Sequence, residues 1–251
     1  MCFSANASFT ASAALVPTGG WCILSVLRQR KLRYLPLAFV PLIFALQQFL
    51  EGMVWKGIGA GDAEMTRRFS QLFLFFALSF WPFWMPFVAL NIEKRLWKQA
   101  VMCFLMVLGV IMGDYLYGQI INEPERWLKI EVVCRSIRYT YFGGVAFQFL
   151  PTVVSRSLYV VVGGLPLFLC SEAIVRRFGA LMVFSAFMTG LFYSYAFTSV
   201  WCLFAALLSL YLCGALQSPE QRSFWNDWCA AGASRLHLRD AWIRLKTFLG
   251  V

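Results

Sequence analysis

Between residues 178 and 217 the chain runs 40 residues without a charged side chain. As one helix this run would be about 60 Å long, twice the thickness of a bilayer's hydrocarbon core. It therefore predicts two membrane spans joined by a turn near residues 193–198. Further apolar runs occupy residues 3–27, 35–55, 69–90 and 100–117. Only 14% of the chain is charged, against about 25% in soluble domains. A soluble fold would have no way to cover so many apolar runs, so the sequence predicts an all-α, polytopic membrane helix bundle.

The segment at 139–171 is harder to divide. Residues 139–155 and 157–171 are apolar but short, and Arg156 separates them. One fifth helix over about 153–171, preceded by a re-entrant or interfacial stretch, gives seven spans. Two separate spans would give eight and place Arg176, Arg177 and the tail on the other side. The basic clusters favour seven. Arg28, Arg30, Lys31 and Arg33 form one, Lys94, Arg95 and Lys98 a second, and Arg176 and Arg177 a third, with Glu93 the single acid among them. Concentrated bases mark cytoplasmic loops. The N-terminus is then outside and the C-terminus inside. Residues 1–217 form the bundle, and 218–251 form a cytoplasmic tail with an amphipathic basic helix. Residues 118–138 read as a mixed-charge outer segment. Trp81 and Trp84 read as an interfacial belt at the inner end of the third span. Met1 to Ser12 has no basic n-region, so no cleaved signal peptide is expected.

The net charge of +10 does not point to nucleic acid, because the bases sit in the loops and tail, as membrane topology demands. The bilayer is the expected partner, and the oligomeric state is left open. Gly109 and Gly113 make a small-residue face, read as packing within the bundle rather than as a dimer seam.

Polar residues inside the spans are the candidate functional groups. Gln47, Glu51 and Trp55 are four residues apart and share a helix face, with Gln48 beside it. A carboxylate in a lipid-spanning helix costs several kcal/mol unless it faces protein, water or a partner. The seven-span topology places Asp114, Tyr193, Tyr195 and Trp201 at the same outer depth. Ser199 and Cys202 lie there too. Three readings stand: a network that fixes helix register, a ligand pocket, and a catalytic pair of carboxylates. Carboxylates ringed by aromatics favour a cationic or amine ligand.

Several chemistries are weakened. No lysine lies within a span to hold retinal, and the sole histidine, His237, is in the tail. Zinc hydrolase, Ser-His triad and haem ligation all lack their histidine. No cofactor is named by the sequence, and a metal is left unknown. Of the eight cysteines, Cys2, Cys134 and Cys202 fall on the outer side, where a disulfide or a soft-metal site is permitted.

Three segments carry a resemblance. They are Met1-Cys2-Phe3-Ser4-Ala5-Asn6-Ala7-Ser8-Phe9, then Leu46-Gln47-Gln48-Phe49-Leu50-Glu51-Gly52-Met53-Val54-Trp55, and Tyr195-Ala196-Phe197-Thr198-Ser199-Val200-Trp201-Cys202. Together they resemble an uncharacterised family of bacterial multi-pass membrane proteins that begin Met-Cys-Phe-Ser-Ala, with Asn6 where Thr is more usual. The resemblance implies a bacterial inner-membrane setting and supplies no catalytic residues. The expected function is binding of a small ligand in an outward-facing polar pocket, as a sensor or transporter-like protein. The alternatives are a membrane-embedded enzyme acting on a lipid-like substrate and a structural subunit of a membrane complex.

Overall fold

A computed structural model describes residues 4–141 and 152–217. The tail, Cys2 and His237 lie outside the described residues. Among these residues, six helices are long and apolar enough to cross a membrane: α1 (Ala5–Arg28), α2 (Leu32–Ala60), α3 (Ala63–Ile92), α4 (Leu96–Asn122), α6 (Ala173–Phe192) and α7 (Ser194–Ala215). A shorter helix, α5 (Thr152–Leu169), packs among them. Each helix from α1 to α3, and then α5 to α7, touches the next, and α7 returns to α1, closing a ring. Helix α4 lies outside it, against α3 and α5, and exposes Phe104, Val107 and Ile111.

Local chemistry sets the helix ends. Ser4 caps α1, its hydroxyl accepting from the Ala7 N–H at 3.3 Å, and α1 stays helical through Pro17. Gly61 ends α2 in the left-handed conformation (φ 66°), which costs glycine nothing. Asp62 follows at once and caps α3, accepting from Met65 N at 2.9 Å. The turn between α2 and α3 is thus only two residues, and α3 starts at Ala63.

Two corrections to the sequence reading arise here. The bundle is all-α as expected, and the first correction is local to one outer segment. Residues 128–141, read as loop and interfacial stretch, form an antiparallel hairpin of β1 (Leu128–Val133) and β2 (Ser136–Tyr141). Val133 pairs with Ser136, so Cys134 and Arg135 make a two-residue turn with φ of 48° and 60°. Positive φ at both positions is the hairpin turn that matches strand twist, adopted here without glycine. Ile137 and Tyr139 alternate inward and pack with Leu50, Val54, Phe73 and Cys202.

The second correction concerns Trp81. It is only 6% exposed, inside the bundle rather than on a belt. The helix continues past Trp81 to Ile92, and the indole N–H donates to Gln47 on α2, so Trp81 faces the neighbouring helix rather than the membrane interface. Just before it, residues Phe75–Phe80 form a π-helical stretch in which Trp81 N–H reaches Phe76 O. In that register the Ala77 carbonyl would need a donor from residue 82, which is proline and has none. The Tyr159 hydroxyl of α5 donates to Ala77 O instead.

One face of the bundle is closed by polar contacts between loops. The Gln29 amide donates to Leu216 O at 2.8 Å, tying the end of α1 to the end of α7. Arg33 pairs with Glu172 at 3.6 Å. Buried Glu93 accepts from Lys94 N at 2.8 Å, Arg95 N at 3.0 Å and Ser171 N at 2.6 Å. Lys98 Nζ donates to Leu169 O at 2.7 Å and lies 4.0 Å from Glu93. The three basic clusters belong to this face. Gly61, Asp62 and the β-hairpin lie at the other end of the helices.

Candidate functional site

Glu51 and Gln47, one helical turn apart on α2, point into the ring. Both are fully buried, as is Gln48. Gln47 Oε1 accepts from the Trp81 indole N–H at 2.7 Å, and its Nε2 donates to Cys202 Sγ at 3.2 Å. One amide thus joins α2, α3 and α7. The Ser199 hydroxyl donates to Glu51 Oε1, adding a second tie to α7. Sequence reasoning found Gln47, Glu51, Ser199 and Cys202. It missed Trp81, whose only signal was a position before Pro82.

The α1 side of the cluster is small and close. Ser12 Oγ donates to Ala45 O at 2.8 Å. A Cβ added at Gly52 would lie 2.6 Å from the Phe9 ring, so the glycine lets α1 approach to contact. Ser8, beside Phe9, is fully buried, and its hydroxyl has no hydrogen-bond partner among the described residues. The same is true of both amide atoms of Gln48. Leaving a buried amide unpaired costs about 1–3 kcal/mol.

Other sequence candidates fall elsewhere. Trp55 is half-buried in the outer core. Tyr193 and Tyr195 sit at the turn between α6 and α7, their rings 6.4 Å apart. Asp114 is exposed on α4, the helix outside the ring, and does not join Glu51. Cys134 is exposed at the hairpin tip and Cys202 is buried, both as free thiols. Among the described residues, no group of three or more His, Cys, Asp or Glu could hold a metal ion.

Trp201 lines a cavity inside the ring together with Trp81 and Cys202, the two residues that hydrogen-bond Gln47. Its walls are apolar. The Trp201 indole donates to Ser185 Oγ at 3.1 Å, away from that space. An open, outward-facing polar pocket is therefore not what the Glu51 residues form in this conformation: they are closed inside the bundle, under the same core that the hairpin completes.

No curated protein and no solved structure matches the chain. A family model does match, over residues 1–228, a range that includes the whole Glu51 cluster. The chain belongs to that family, described as a family of unknown function (DUF6629).

Proposed function

We propose that this multi-pass membrane protein binds a small cationic or amine ligand at Glu51, as a sensor or transporter-like protein of the bacterial inner membrane. The supporting observation is a fully buried carboxylate beside a fully buried Gln48 whose amide has no partner among the described residues. A cation with N–H groups would use the negative charge and the Gln48 oxygen together. The cluster is closed here, so ligand exchange requires the outer end to open, and the hairpin is the element placed over it.

Orientation follows from charge. The clustered bases of the loops around 28–33, 94–98 and 176–177 share one face, which we assign to the cytoplasm. In that assignment α5 is a fifth of seven spans, the N-terminus is outside, and residues 218–251 are a basic cytoplasmic tail. The exposed position of Asp114 supports binding over acid–base catalysis, because the second carboxylate stands apart from the first.

Native mass spectrometry with elemental analysis tests this reading on detergent-purified wild type and Glu51→Gln. The variant keeps the shape and an acceptor for Ser199 while removing the charge. The expected result is a stoichiometric small mass in wild type, absent in the variant, or amines that raise the melting temperature of wild type alone. Two equally empty proteins that no amine stabilises would overturn the proposal.

A further inference from the structure

A narrow, partly open cavity lies between α2, α3, α5, α6 and α7, and Gln47, Gln48 and Glu51 are not among its walls. Trp81, Met85, Tyr159, Gly163, Met182 and Trp201 are among its walls. Three of these carry polar handles, and all three are spent elsewhere. Trp81 N–H goes to Gln47, Trp201 N–H to Ser185, and Tyr159 O–H to Ala77 O. A polar occupant would surrender its hydration and find no partner, a cost of several kcal/mol per group. An apolar chain loses nothing on entry, and van der Waals contact with the ring faces favours it.

Helix α5 supplies the access. Among the described residues it is the shortest helix of the bundle, and Leu158, Val161, Leu165 and Phe168 are exposed along its outer side. Gly163 and Gly164 replace side chains where this helix lines the cavity. A Cβ built at Gly163 meets nothing within 4 Å, so the space beside it is open. The neighbouring helices are long and apolar enough to cross a membrane, which makes the medium outside α5 the hydrocarbon of the bilayer.

We infer that this cavity is a binding site for a hydrocarbon chain of a membrane phospholipid, which enters past Gly163 and lies between the Trp81 and Trp201 rings. The site is independent of the ligand proposed at Glu51. The chain would be held by packing alone, without selection of a headgroup.

The test reconstitutes the full-length protein in phosphatidylethanolamine vesicles in which a fraction of the lipid carries a photoactivatable diazirine at mid-chain. After irradiation, labelled positions are mapped by mass spectrometry. Met85 and Met182 are 3% and 7% exposed, so labelling at the level of the lipid-facing Phe104 and Phe187 is expected only if a chain enters the cavity. Labelling no higher than at the fully buried Met102 and Phe178 would overturn the inference, and needs wild type alone. Gly163→Leu should plug the entrance, lower Met85 and Met182 labelling several-fold, and leave Phe104 unchanged. Gly163→Ala should label like wild type. Undiminished cavity labelling in folded Gly163→Leu would likewise overturn it.

Discussion

Replacing Glu93 with Ala is expected to destabilise the folded chain by about 3 kcal/mol, read as a lower melting temperature in detergent. Three backbone N–H groups from two loops converge on this one buried carboxylate. Removing it leaves those donors without their acceptor, and Lys98 without its counter-charge. Burial alone would raise the Glu93 pKa. The N–H groups of Arg95, Ser171 and Lys94 outweigh it and hold the carboxyl at about 2, below its ordinary 4.5. The folded state therefore resists protonation. The stabilisation is complete above about pH 4.5 and is lost as pH falls from there towards 2. At ~1.4 kcal/mol per unit its full extent is about 3 kcal/mol. Other carboxylates titrate in the same range, so the difference between wild type and Glu93→Gln is the quantity to follow. That difference should be flat from pH 7 to 5 and shrink below it. A constant difference down to pH 3 would show that Glu93 acts by shape alone.

This clasp was only partly legible in the sequence. Charge counting marked the loop after α3 as basic and noted Glu93 as its lone acid, but counted the acid as a blemish. What Glu93 does depends on Ser171, 78 residues away, and a single sequence holds no signal for that meeting. The helices themselves were legible because apolar length is a local property. So was the Glu51 face, because four-residue spacing fixes which side chains share a face before any partner is known. Trp81 was misplaced because a tryptophan cluster beside prolines was read as a span end, whereas its burial depends on Gln47, 34 residues away on another helix. The hairpin was legible in principle. Leu128, Ile130 and Val132 alternate with Lys129 and Glu131, which is a period of two. Counting the segment's charges for topology concealed that alternation. Asp114 was grouped with Glu51 by depth alone. Depth is only one coordinate, and the rotation of α4 to the outside of the ring supplies the other.

Gly109→Leu should prevent the bundle from assembling, and Gly109→Ala should cost about 3 kcal/mol, at the upper end for overpacking. A Cβ at Gly109 would lie 2.2 Å from the Pro82 carbonyl oxygen and 2.6 Å from its carbon. Both are backbone atoms of α3, so no side chain can swing away. The contact also has a chemical logic. In α3 the Pro82 oxygen would accept from residue 86, which is again proline and cannot donate. The backbone of Gly109 is pressed against that oxygen, close enough for its Cα–H to serve as a weak donor. Gly113 sits likewise, its added Cβ 2.7 Å from Ser79 Cα beside the π-helical stretch. The two glycines thus hold α4 on α3 within one chain, at the level where α3 is least regular. Gly20→Ala is the matched control, because a Cβ there meets nothing within 4 Å, and mid-helix alanine should be neutral or gain up to ~1 kcal/mol. Thermal unfolding of the two alanine variants in detergent measures the contrast. Equal melting temperatures would mean that α4 can stand off from α3 without cost. The lost stability should not depend on protein concentration, since the glycines act inside one chain; a concentration-dependent loss would place them at a seam between copies.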